Sequence, residues 1–130
     1  MGYRSDVRIR LTKIDFERLK LEFEKKVVNE LGYCNLFDTM DAYKNVGSAY
    51  CYNCIDTDGK PTKDLDCVFF GWNCVKWYEG YKDVDFIMDF IQKCERYAFC
   101  RIGESLEGDI ECHEQGMEMI SFYYAFDEEV

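Results

Sequence analysis

The residues best suited to chemistry in this chain are its eight cysteines, two of which form Cys51-Tyr52-Asn53-Cys54. A Cys-x-x-Cys turn lets two thiolates converge on one point. Cys67 follows after a turn-rich stretch that carries Asp58-Gly59. A knuckle, a loop and a further sulfur on the facing strand is the pattern of a zinc-closed β-hairpin. Tetrahedral zinc needs four donors. Cys34, from the segment after the first helix, ranks first as the fourth. Cys74 ranks second, because seven residues beyond Cys67 it points to the opposite face of a regular strand. His113, the only histidine, ranks third. The expected metal set is therefore Cys34, Cys51, Cys54 and Cys67, holding one structural zinc. The competing reading is that these cysteines are ordinary packed residues.

Other chemistry is less well supported. A redox Cys-x-x-Cys sits at a strand-to-helix junction, whereas Cys51 and Cys54 are flanked by strand and turn. Cys112-His113 is an adjacent pair on an expected strand, so its side chains face opposite ways and do not form a dyad. Neither a Gly-rich phosphate loop nor a nucleophile elbow is present. Glu104, Glu107, Asp109, Glu111 and Glu114 lack the spacing of a calcium loop. The expectation is a protein that is not an enzyme.

These residues must be positioned by a single domain, 1–130, long enough to bury its own core. Val7, Ile9 and Leu11 alternate with Arg8, Arg10 and Thr12, which predicts a strand with one apolar and one polar face. Phe16, Leu19, Phe23, Val27 and Leu31 mark one face of a helix from about Asp15 to Glu30, stopped by Gly32. Residues 33–48 read as a loop with Leu36, Met40 and Tyr43 facing inward from a short helix. A hairpin follows, 49–55 with 67–78, turning at Asp58-Gly59-Lys60-Pro61. In its second strand Phe70, Trp72 and Cys74 share one face, Phe69, Val75 and Trp77 the other, and Gly71 marks a bulge or close approach. A second helix spans 83–95, with Val84, Ile87, Met88, Ile91 and Cys94 on its stripe. Strands are expected at 97–103, 110–113 and 119–126, the first two separated by a turn at Gly108-Asp109. The predicted fold is α+β, a mainly antiparallel sheet with two helices packed on one face in a split β-α-β layout, and a zinc-stapled hairpin.

Charge sets the class of partner. The net charge is −10, and it is unevenly spread. Residues 1–30 hold eight Lys/Arg and six Asp/Glu, whereas residues 81–130 hold four and thirteen. Such a chain is a poor ligand for phosphate backbones and a good one for a basic protein. Asp83, Asp85, Asp89, Glu104, Glu107 and Asp109 are the candidate partner-binding residues; the alternative is a solvated face that keeps the protein soluble. Trp72, Trp77, Tyr78 and Tyr81 read as either core or interface anchors. The charged start, without an apolar run behind it, carries no secretory signal, and no stretch is apolar enough to span a membrane. A cytoplasmic monomer with reduced thiols is expected.

Met1-Gly2-Tyr3-Arg4-Ser5-Asp6-Val7, with Val75-Lys76-Trp77-Tyr78 and Arg101-Ile102-Gly103-Glu104, resembles small proteins of Gram-positive phages and prophages, and the likeness runs from end to end. Within that setting the small size, negative charge and lack of catalytic motifs resemble type II anti-CRISPR proteins, which inhibit Cas9, and a zinc-containing member in particular. Such proteins share no common fold or motif, so no functional residue carries over. The resemblance implies stoichiometric inhibition of Cas9 in the host cytoplasm, by an acidic surface that blocks target-DNA loading. The alternatives are a cytosolic cysteine- or metal-dependent enzyme, or a regulatory phage protein without a nuclease target.

Overall fold

The alternation in the first strand sets the architecture. The computed structural model describes residues 4–47, 67–103 and 110–115. Strand β1 (Ser5–Thr12) occupies the centre of a five-stranded antiparallel sheet ordered β2-β3-β1-β4-β5. The other strands are β2 (Ala42–Gly47), β3 (Cys67–Val75), β4 (Tyr97–Gly103) and β5 (Ile110–Gln115). Helix α1 (Lys13–Phe23) follows β1, and α2 (Lys82–Lys93) joins β3 to β4. The first four strands and two helices form the expected split β-α-β arrangement, and β5 extends it at one edge.

Val7, Ile9 and Leu11 form one core with Phe16, Leu19 and Phe23 of α1 and Val84, Ile87 and Ile91 of α2, which sets both helices on that face. Val68, Phe70 and Trp72 of β3 and Tyr97 and Phe99 of β4 complete it. The opposite face is buried as well: Arg10 is 2% and Arg8 4% exposed, and Phe69, Ala98 and Cys67 are fully buried. The polar face expected for β1 is thus itself buried.

Thr12 caps α1 by accepting from the Asp15 amide, and Asp15 sits in the first turn where a carboxylate suits the helix dipole. A π-helical stretch, Glu24–Asn29, follows. It adds a residue to the turn and rotates what comes after, so Val27 stays buried while Leu31, expected on the inner stripe, is about half exposed. Gly32 ends the segment at φ +78. Residues 33–47 contain a 3₁₀ turn, Leu36–Asp38, and then β2, a strand that sequence periodicity did not reveal. Phe37 in that turn packs edge-on against Phe23 at 5.2 Å and Trp72 at 5.7 Å.

The end of β3 departs from regular alternation. Ser5 pairs with Val75 and Val7 with Trp72, so Asn73 and Cys74 together oppose Asp6, a β-bulge. Cys74 takes φ +53, held by its amide on Asp6 Oδ1 at 2.9 Å and its carbonyl on Arg4 Nη1 at 2.9 Å. The extra residue reverses the side-chain parity. Trp77 therefore joins the helix-side core and stacks on Trp72 at 5.6 Å, instead of sharing a face with Phe69 as regular alternation requires. The hairpin strand expected at 49–55 and the last strand at 119–126 lie outside the described residues.

Gly71 is a point of close approach. A Cβ built there would lie 1.9 Å from the Val7 carbonyl oxygen. Gly71→Ala must push two central strands apart, and overpacking of this kind costs about 1–3 kcal/mol or more. Urea unfolding is expected to show at least that loss, and a variant as stable as the parent would contradict the packing described.

Candidate functional site

The β-bulge that re-aims Trp77 also builds a site. Rings run in a ladder across the helix side of the sheet: Trp72, then Trp77 at 5.6 Å, Phe99 at 6.2 Å from Trp77, and His113 at 5.9 Å from Phe99. Between this ladder and α2 lies a groove of about 550 Å³, lined by Trp77, Tyr78, Glu79, Asp85, Met88, Asp89, Phe99, Arg101 and Glu111 among others. Four carboxylates and one guanidinium line it. A larger groove of about 1220 Å³ runs between α1 and α2, over Phe86 and Phe90. Its walls carry Asp15, Glu17, Glu22, Asp89 and Glu95 against Lys13, Arg18, Lys26, Lys93 and Arg96. Its charges balance, so it exerts little net pull on an ion. The smaller groove is the one with electrostatic character.

At the outer wall, Glu111 is held from two sides. Arg101 Nε donates to its Oε1 at 3.2 Å, and the His113 ring nitrogen Nε2 meets its Oε2 at 2.7 Å. A carboxylate only accepts, so Nε2 carries the proton. Arg101 also donates to Ser5 Oγ at 3.0 Å, tying the wall to β1. Burial alone would raise the Glu111 pKa, but the hydrogen bonds from His113 and Arg101 outweigh it and hold the carboxyl below its ordinary value.

The acids on α2 divide by role. Asp83 accepts from the Val84 amide at 2.8 Å and Asp85 from the Gly80 amide at 3.0 Å, so both are held in the first turn of the helix, where a carboxylate suits the dipole. Asp85 and exposed Asp89 line the acidic groove, whereas Asp83 does not. Glu104, Glu107 and Asp109 lie outside the described residues. Glu79 carried no signal in the sequence, and Glu111 was weighed there only as a calcium-loop carboxylate; the register of β4 on β5 sets it opposite Arg101. Trp72 and Trp77 are core, Tyr78 packs edge-on against Tyr81 at 5.0 Å, and Tyr81 is exposed.

Cys51 and Cys54 lie outside the described residues. Cys67 is buried at the start of β3, in register with Thr12, and its side chain lies on the face away from the helices. Cys34 is exposed in the helix-side segment anchored by the Trp72 indole, which donates to Leu36 O at 2.7 Å. Cys34 thus stands on the helix side of the sheet, and the Cys67 side chain on the other face. Cys74 sits at the far end of β3, about 23 Å along a regular strand from Cys67. His113 stacks on Phe99 on the helix side and bonds to Glu111. Among the described residues no three His, Cys, Asp or Glu side chains gather as a metal site. Cys94, beneath α2, has its thiol pushed up to about 12 by burial and by Asp15.

Among the described residues one pair of cysteines meets that local sequence pattern does not signal. Cys100 on β4 and Cys112 on β5 are directly opposed, with their sulfurs 2.9 Å apart. His113, next in sequence, is on the other face against Phe99. Among the described residues no helix is long and apolar enough to cross a membrane. No protein family, curated protein or solved structure matches the chain.

A group with a depressed folded pKa contributes stability that is present above its unfolded value and lost as pH falls through the folded one. For Glu111 that window opens below about pH 4.3. Carboxyl NMR titration is expected to place the Glu111 midpoint below that value, and below its own midpoint in an Arg101→Gln, His113→Gln double variant. A midpoint at or above 4.3 would contradict the bonding described.

Proposed function

We propose that this chain is a non-enzymatic binding protein of phage origin that inhibits a host nuclease of the Cas9 type by occupying a basic nucleic-acid channel and blocking target-DNA loading. The observation that carries the reading is the acidic, aromatic-floored groove between α2 and the β4–β5 edge, with Glu79, Asp85, Asp89 and Glu111 on its walls. Asp85 and Glu111 are fixed by hydrogen bonds, and with Glu79 and Asp89 they present four carboxylates in one groove as a mimic of a phosphate track, while the ring ladder beneath supplies a surface for guanidinium groups. Cas9 holds its heteroduplex and displaced strand in positively charged channels, so such a surface competes with DNA on equal electrostatic terms. The resemblance to anti-CRISPR proteins supports the same target.

The purified chain added to a type II Cas9–guide complex is expected to stop DNA binding, saturating near one inhibitor per nuclease. Glu79→Lys with Asp89→Lys should slow association by about tenfold at low salt and flatten its salt dependence. Glu17→Lys with Glu22→Lys, in the charge-balanced groove, should change it little. A Cas9 that cleaves normally at excess inhibitor would remove the target assignment. Equal inhibition by the groove double variant would remove the groove.

The same reading includes one structural zinc held by Cys51, Cys54 and Cys67 with a fourth donor. Structural zinc contributes folding free energy directly. Elemental analysis should find about one zinc per chain, retained in Cys34→Ser, whereas Cys51→Ser or Cys54→Ser should give insoluble or unfolded protein. Metal-free, fully folded protein would contradict it.

A further inference from the structure

Among the described strands β5 is the edge of the sheet, and most of its side chains are exposed. Its register on β4 is regular, and it sets Cys112 directly across from Cys100. Directly opposed residues of antiparallel strands have Cα atoms about 4.5 or 5.5 Å apart. Both spacings fall within the range of about 4.4–6.8 Å that a disulfide spans without backbone movement. The two sulfurs stand 2.9 Å apart, so roughly one ångström of approach brings them to a bonded distance of about 2.05 Å. The pair is asymmetric: Cys112 is exposed, and Cys100 is 1% exposed on the buried second face.

We propose that Cys100 and Cys112 form a redox-active dithiol that low-molecular-weight disulfides convert reversibly to a cross-strand disulfide, with Cys112 as the entry thiol and Cys100 as the resolving thiol. The Cys112 thiolate attacks one sulfur of a disulfide such as oxidised glutathione. The S–S bond breaks, a mixed disulfide forms on Cys112, and the first glutathione thiolate leaves and takes up a proton. Cys100 then gives up its proton to solvent, and its sulfur attacks the Cys112 sulfur. The second glutathione departs as a thiolate and is protonated. Two protein thiols are oxidised to one disulfide, and one glutathione disulfide is reduced to two thiols.

Burial pushes the Cys100 thiol up, and contact with Cys112 and the charge of Glu114 push the same way. Cys100 therefore stays protonated until Cys112 has reacted, which sets the order of attack. The bond would staple the edge strand to β4 and with it Glu111, the outer wall of the acidic groove. The chemistry holds whether or not that groove binds a nuclease.

The reduced, folded full chain is incubated with oxidised glutathione, then quenched and mapped by non-reducing peptide mass spectrometry. The expected product has lost two hydrogen masses at a Cys100–Cys112 linked peptide, and dithiothreitol restores both thiols. Cys100→Ser should instead accumulate a glutathione adduct on Cys112, and Cys112→Ser should leave Cys100 unmodified while the fold persists. Should either variant fail to fold, the map of the parent chain decides alone. An unresolved adduct on Cys112, a link from Cys112 to another cysteine, or an unmodified Cys112 in the folded parent would each overturn the proposal.

Discussion

Burial of β1 on both faces is the constraint from which the rest of the structure follows. A central strand with Val7, Ile9 and Leu11 on one side must place Arg8 and Arg10 on the other, and both arginines are buried there. Hydrogen bonds offset much of the cost of burying a guanidinium. Arg8 donates to the carbonyls of Val7 and Trp72 at 2.9 and 3.2 Å and to Asn73 Oδ1 at 2.7 Å. Burial lowers its pKa, with Asp6 and Asp41 acting in the opposite direction. These bonds fasten β1 to the end of β3, where Asn73 and Cys74 bulge out against Asp6.

The bulge carries the consequence outward. One extra residue reverses the parity of β3 and turns Trp77 under α2, where it stacks between Trp72 and Phe99. The ladder continues to His113 at the sheet edge, and His113 with Arg101 fixes Glu111. The floor and outer wall of the acidic groove therefore rest on the packing of β1, several strands away. Charge separates this groove from the larger one between the helices, whose acids and bases cancel. Volume alone favours the larger, charge-balanced groove, whereas electrostatic steering depends on net field.

Much of this was legible in the sequence, and the failures have physical causes. The α+β class, the split β-α-β order, both helices and strand β4 follow from periods of 3.6 and 2 that local pattern expresses directly. Leu31 and Trp77 were misplaced because a π turn and a bulge each insert one residue, and periodicity has no signal for an insertion. The polar reading of Arg8 and Arg10 failed because alternation reports side-chain type, not whether a second layer will cover the face. Strand β2 was lost because Ala42–Gly47, with Lys44, Asn45 and Gly47, has little β-propensity and is recruited by pairing with β3. Of the acids that charge singled out on α2, Asp85 and Asp89 line the groove and Asp83 does not; placing Glu111 on its wall and Cys112 against Cys100 needed strand register, and Glu79, in the turn before α2, carried no sequence signal. The expected zinc knuckle at Cys51 and Cys54 lies outside the described residues.

The most direct test of the central claim, that the α2–β5 groove is the chain's cation-recognising surface, is a ¹⁵N NMR titration of the folded protein with a short arginine-rich peptide. The account predicts shifts concentrated on Trp77–Glu79, Asp85–Asp89, Arg101 and Glu111, with the Trp77 indole resonance among the largest, fading as salt is added. Shifts centred instead on α1, or spread evenly over every exposed carboxylate, would contradict it.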